Sequence, residues 1–231
     1  DMGNAETTIS AFHKFCQDVC TENFIKSGLS DKTKLMQERS LQVWCIKNHD
    51  GFNLNPDVVD PTTDLFKVYK GIAQAISNFK ESLITSDQLK QWLEQKQKVI
   101  DKFTDKERKE TENKKLIKYV EDHVEFNKVY AEYEKLQQKS KVFDFDDMLS
   151  KAIKLFTKHP LILADYQAKY DYIFVDEFQD NNFSQYELIR LLGQHGNVMV
   201  VGDDDQLIMR FQGARQENFD AFLNDFSGVK E

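Results

Sequence analysis

With 231 residues, 40% of them hydrophobic and 30% charged, the chain is long enough to bury a core and too apolar for a disordered tail. No apolar run approaches the ~20 residues that cross a bilayer, and the N-terminus lacks a signal-peptide pattern, which predicts a soluble intracellular protein with no membrane partner. The net charge of −8 speaks against a chain that is basic throughout, and three cysteines (Cys16, Cys20, Cys45) are too few for a disulfide framework.

The charge is uneven. From Val142 onward there are 8 Lys+Arg and 16 Asp+Glu, whereas the residues before it hold 23 of each sign. All the excess negative charge lies in the C-terminal stretch, where a bound magnesium ion would offset part of it.

In chain order, Thr7 to about Lys26 reads as a short strand or loop feeding a helix, with Ile9, Phe12, Phe15, Cys16 and Val19 near helical spacing. From about Leu29 to Lys141 the composition turns to Lys, Glu and Gln. Pro56 and Pro61 mark a loop, and two helical stripes follow. One runs Leu89, Trp92, Leu93, Lys96, Val99, Ile100 and Phe103; the other runs Ile117, Val120, Val124, Val129, Tyr130, Tyr133 and Leu136. Thr104-Asp105-Lys106-Glu107 between them reads as an N-cap with first-turn acids. The charges on these helices read as solvated faces.

Beyond Val142 the pattern becomes α/β. A helix is predicted over Phe145–Phe156, a strand over Tyr172–Val175, a helix over Ser184–Gln194 and a strand over Val198–Val201. Gly193 and Gly196 mark the helix exit. Strand, helix and strand within about thirty residues make a parallel βαβ unit. Both strands read as buried, and both end in acids: Asp176-Glu177 after the first, Asp203-Asp204-Asp205 after the second. The C-terminal edge of a parallel sheet is where ligands bind, and an Asp-Glu pair there suits magnesium and a nucleotide.

Alternatives stand beside these readings. Asp176 and Glu177 also fit a solvated turn after a core strand, and Asp203–Asp205 a polar loop. Phe12, Phe145 and Phe211 fit core packing as well as a binding surface. His13, Cys16 and Cys20 share a helical spacing, yet the short Cys-x₂-Cys pattern of a metal site is missing, so the cysteines read as small buried hydrophobes.

Four segments together resemble the UvrD/Rep-like superfamily-1 DNA helicases, and they occur in the family's order. Ser10-Ala11-Phe12-His13-Lys14-Phe15 is similar to motif Ib. Phe143-Asp144-Phe145-Asp146-Asp147-Met148-Leu149 resembles the element where the chain re-enters the motor after a helical insertion. Val175-Asp176-Glu177-Phe178-Gln179-Asp180 resembles motif II, the Walker B element. Val200 to Gln206, continuing to Arg210-Phe211-Gln212-Gly213-Ala214, resembles motif III.

The resemblance implies an α/β fold: part of a RecA-like P-loop NTPase motor domain with a parallel sheet and a mainly α-helical inserted subdomain. Residues 1–28 would be motor domain 1A with motif Ib, 29–141 the 1B-like insertion, and 142–231 motor domain 1A with Walker B and motif III. It further implies ATP and Mg²⁺ as substrate and cofactor, single-stranded and forked DNA as partners, and a cytoplasmic, nucleoid-associated setting in DNA repair. Asp176 would hold magnesium through water, Glu177 would be the general base, and Gln206 would sense the γ-phosphate. Phe12, His13, Phe145, Met209 and Phe211 would lie along the DNA.

This sequence also departs from the family pattern. Met209 stands where a base-stacking tyrosine is usual, Gln212 where an arginine is common, and Ala11 where motif Ib has threonine. No Gly-x-x-x-x-Gly-Lys-[Ser/Thr] occurs; Gly28-Leu29-Ser30-Asp31-Lys32-Thr33 lacks the second glycine and follows no convincing strand. The phosphate-binding segment is therefore expected upstream and a second motor domain downstream in the same polypeptide, with these 231 residues inactive alone. Two alternatives are a non-enzymatic DNA- or protein-binding half-motor and the motor part of a helicase–nuclease.

Overall fold

The computed structural model describes residues 7–30, 32–36, 38–48, 52, 64–203, 217–226, 228 and 229. The chain divides into two compact units. One comprises Asp1–Thr33, Glu81–Leu83 and Phe145–Glu231; the other comprises Lys34–Lys80 and Ile84–Asp144. Among the described residues no helix is long and apolar enough to cross a membrane.

The second unit is helical. It contains α3 (Glu38–Lys47), α4 (Leu65–Glu81, whose last residue belongs to the first unit), α5 (Ser86–Ile100) and α6 (Thr111–Ser140). The two predicted stripes become α5 and α6, which pack on each other. Leu89, Leu93 and Ile100 meet Val120, Tyr130 and Tyr133 in one core. Trp92, Val99 and Val124 of the same stripes are exposed, because the buried arc is narrower than the apolar one.

The start of α5 carries a cap that its sequence spells out. Thr85 Oγ1 accepts the Gln88 N–H while Gln88 Oε1 accepts the Thr85 N–H, a reciprocal capping box. Thr104 and Glu107 make the same exchange, but they start a single 3₁₀ turn (Glu107–Lys109) rather than α6, which begins at Thr111 without a side-chain cap.

Two short strands unite the ends of this unit. β1 (Lys34–Leu35) pairs parallel with β2 (Val142–Phe143), Lys34 opposite Val142. Lys80 and Asp144 each end a segment of the unit, and they meet in a buried ion pair at 2.7 Å. The Tyr133 hydroxyl donates to the same Asp144 oxygen at 2.9 Å, and the Lys80 ammonium lies 4.7 Å from the Tyr133 ring centre.

The first unit holds α1 (Phe12–Glu22), α2 (Phe24–Ser27), α7 (Phe145–Lys158), α8 (Pro160–Lys169), β3 (Ile173–Val175), α9 (Phe183–Leu192), β4 (Val198–Val200) and α10 (Glu217–Asp225). Its helical backbone is α7, whose apolar positions recur at three and four residues. Met148, Leu149, Ala152, Ile153, Leu155 and Phe156 are all buried on it. Asp146 and Asp147 in its first turn and Lys158 in its last suit the helix dipole. Helix α1 packs on α7 through the buried Cys16, Val19 and Cys20. Burial pushes the Cys20 and Cys45 thiols up to about 12 and Cys16 higher still, so all three stay protonated and pack as small hydrophobes. Of the strand or loop expected before α1, the chain has the loop: residues 7–11 have no regular structure, and Ile9 is exposed rather than on the stripe.

The predicted βαβ unit is present. β3 and β4 pair parallel, with Ile173 opposite Val198 and Val175 opposite Val200, and α9 connects them. Gly193 caps α9, and Gly196, at φ +85°, turns the chain into β4. The strands are not buried on both faces as expected. Ile173, Val175, Val198 and Val200 face a core with Tyr186, Ile189 and Phe222, whereas Phe174 is 73% and Met199 54% exposed. Successive side chains alternate, and among the described residues of this unit helices cover one face of the pair.

Breaking the Lys80–Asp144 pair tests the closure of the helical unit. Lys80→Met leaves a buried carboxylate without its cation and is expected to cost about 3–5 kcal/mol in urea unfolding; replacing both residues with apolar ones should cost much less. A single-variant loss below about 1 kcal/mol would show that the pair is not closing the unit.

Candidate functional site

The acid pair lies where β3 ends. Val175 is the last buried residue of the strand, and Asp176 and Glu177 emerge from it into solvent. Two backbone bonds hold the strand end to its neighbour: Val201 N–H to the Val175 carbonyl at 2.8 Å, and Phe178 N–H to the Val201 carbonyl at 2.9 Å. Between those two bonds the chain must turn within two residues. It does so at Glu177, which adopts a left-handed conformation at φ 49° and ψ 47°. For a residue with a Cβ this costs on the order of 1–3 kcal/mol, and such outliers gather at functional sites.

The force that holds the turn is the next side chain. Phe178 is fully buried, its ring 5.0 Å from that of Phe219, 5.6 Å from Phe222 and 6.3 Å from Tyr186. A 3₁₀ turn over Phe178–Asp180 follows, then Asn182, which caps α9 in a reciprocal box with Gln185. The main chain is thus fixed on both sides of the carboxylates.

Each acid has a defined partner. An Asp176 carboxylate oxygen accepts the Glu177 N–H at 3.0 Å. A Glu177 carboxylate oxygen accepts from Gln179 Nε2 at 2.7 Å. Gln179 is buried, and its other amide atom, Oε1, accepts the Asp203 N–H at 3.1 Å. Gly202 makes this approach possible: a Cβ there would lie 2.5 Å from Gln179 Oε1 and 3.2 Å from the Gln179 backbone nitrogen. The ends of the two strands are therefore joined through one side-chain amide. Sequence reading quoted Gln179 inside its motif without giving it a role; its signal was position, two residues beyond an acid at a strand end.

The donor set accommodates a magnesium ion. Asp176 offers a hard, exposed oxygen, and among the described residues no group of three His, Cys, Asp or Glu converges. One carboxylate with water and phosphate oxygens is the ligand set magnesium accepts, since it keeps several waters.

The aromatic candidates separate. The His13 and Phe145 rings are neighbours, with centres 5.5 Å apart and planes at 58°; Phe145 stays 37% exposed. Phe12 is half-buried and packs against the core of Val175 and Phe178, which places it in the packing alternative. Gln206, Met209 and Phe211, with Asp204 and Asp205, lie outside the described residues. The segment with a superficial likeness to a phosphate loop begins at Gly28, which ends α2 as a left-handed cap at φ 74° and does not open a loop from a strand to a helix.

A sequence profile described as the UvrD/REP helicase N-terminal domain matches residues 2–227. The chain is 46% identical over 103 residues to DNA helicase II of Haemophilus influenzae, a match that covers 44% of this chain and 14% of that protein. It is 45% identical over 106 residues to DNA helicase II of Escherichia coli, covering 46% and 15%. It is 46% identical over 99 residues to the ATP-dependent DNA helicase PcrA of Bacillus subtilis, covering 42% and 13%.

Proposed function

We propose that this chain, which belongs to the UvrD/REP helicase N-terminal domain family, is part of an ATP-driven motor that moves along single-stranded DNA and opens duplex DNA. The observation that carries the reading is the Asp176–Glu177 pair at the C-terminal end of a parallel strand, with Glu177 held in a left-handed turn. Residues 1–28 and 142–231 are proposed as parts of a RecA-like motor domain 1A, and 29–141 as a 1B-like helical insertion. The exposed outer face of β3 and β4, with Phe174 and Met199, supports a further layer packed on that face in the whole motor, because parallel sheets are normally covered on both faces.

In the proposed chemistry Asp176 would hold a magnesium ion through water, and the ion would supply positive charge beside the phosphates of ATP. Glu177 orients a water and takes its proton as the water oxygen bonds to the γ-phosphorus. The bond from that phosphorus to the β,γ-bridging oxygen breaks, and its electron pair leaves with ADP. Gln206 is proposed as the γ-phosphate sensor. The sequence has no Gly-x-x-x-x-Gly-Lys-[Ser/Thr] loop to grip the phosphates, and the isolated chain is proposed to be inactive.

For DNA we propose a floor made by His13 and Phe145, with Phe12 behind it in the core; Met209 and Phe211, outside the described residues, are proposed as further DNA contacts. A stacked base gains from any flat ring, so this floor is indifferent to sequence. The helices between Ser86 and Lys141, with 14 Lys+Arg against 12 Asp+Glu, are proposed to touch duplex backbone at a fork.

Two variants of the full-length protein test the reading. Glu177→Gln should leave ATP binding largely intact and lower turnover by orders of magnitude, measured as nucleotide affinity and DNA-stimulated phosphate release. Turnover near the unmodified level would remove Glu177 as the base. Phe145→Ala should weaken single-strand affinity by about 1–3 kcal/mol with little change in melting temperature, since its ring is partly exposed. Lost stability with unchanged affinity of the folded protein would assign Phe145 to packing alone.

A further inference from the structure

Gln179 is a buried amide, 3% exposed, between two strand ends, and both ends of that amide are engaged. Nε2 donates to the Glu177 carboxylate at 2.7 Å, and Oε1 accepts the Asp203 N–H at 3.1 Å. A primary amide is planar, so its donor and acceptor cannot be re-aimed independently. Glu177 is otherwise an exposed, long side chain with freedom to rotate, on a backbone turned into the left-handed region. A charge-assisted bond from a buried donor is the strongest restraint described on its carboxylate.

We propose that Gln179 is a positioning residue for hydrolysis: its amide fixes the Glu177 carboxylate and ties its orientation to the main chain at Gly202–Asp203. The inference rests on Glu177 being the general base. Gly202 is part of the same device, because any side chain there would collide with Gln179 Oε1. Gln179 touches neither nucleotide nor water in this scheme; it acts through Glu177.

The variants separate the two halves of the amide. Gln179→Glu keeps an oxygen to accept the Asp203 N–H but loses the donor to Glu177 and sets a second carboxylate against it. In the full-length protein it should lower kcat for ATP by roughly 10- to 100-fold, the cost of a misplaced catalytic group, while KM for ATP stays near its original value; the added buried carboxylate should also lower the melting temperature, so both constants are measured on folded protein. Gly202→Ala, which alters neither side chain, should lower kcat in the same sense by pushing Gln179 aside. The decisive reading is the double variant: in a Glu177→Gln background, Gln179→Glu should lower the residual turnover no further, because its effect passes through the carboxylate already removed.

Unchanged kcat in Gln179→Glu overturns the proposal, as does a full additional loss in the double variant, which would mean a role independent of Glu177. Folded Gln179→Glu protein with KM and kcat altered together overturns it in favour of plain structural support. If Glu177→Gln alone retains turnover, the function proposed for Glu177 fails first, and Gln179 has nothing to position.

Discussion

The burial of one side chain organises the site. Phe178 sits between Phe219, Phe222 and Tyr186, and its backbone N–H is bonded to the Val201 carbonyl. Burying such a ring contributes about 1.5–3 kcal/mol, enough to offset the strain of a left-handed Glu177. The result is a corner with a hydrophobic inside and two carboxylates outside. Without the buried ring, the acids would end a strand in an ordinary solvated turn. With it, their direction is set by the core, and Gln179 and Gly202 close the gap to the neighbouring strand.

The helical unit is built by a different balance. Its stripes on α5 and α6 bury apolar surface, but its segments end at a charged pair, Lys80 with Asp144. Buried charges are costly, and here Tyr133 supplies both a hydroxyl to the carboxylate and a ring face to the ammonium. Asp144 is followed directly by Phe145, the first residue of α7 and a proposed part of the DNA floor. The end of the proposed insertion and the start of the proposed floor are thus adjacent in the chain.

Elements with a strong period were legible in the sequence. The α5 and α6 stripes, the α7 run from Phe145, and the βαβ unit around α9 all appear with shifts of a few residues at their ends. Helix α8 was not read, although Pro160 at its first turn and Lys169 in its last were both signals. The two-residue strands β1 and β2 carry too little pattern to be seen; only the meeting of distant segments makes them strands. Exposure was the main misreading. Apolar runs such as Ile173-Phe174-Val175 do not say whether one face or two will be covered, because that depends on neighbours the local sequence does not describe. At the site, Asp176 and Glu177 were visible as acids after a strand. The left-handed turn, the Gln179 amide and the tight Gly202 approach were not, since each depends on two strand ends coming together.

The corner after β3 is proposed to aim Glu177 at the water that attacks ATP. The most direct measurement is a crystal structure of the full-length protein with magnesium, ADP and a planar phosphoryl mimic such as aluminium fluoride. The account predicts a water in line with the mimic and hydrogen-bonded to Glu177, magnesium reached by Asp176 through a water, and the Gln179 amide still on the Glu177 carboxylate. A nucleotide bound with Glu177 turned away from it, or with magnesium held by residues other than Asp176, would contradict the account.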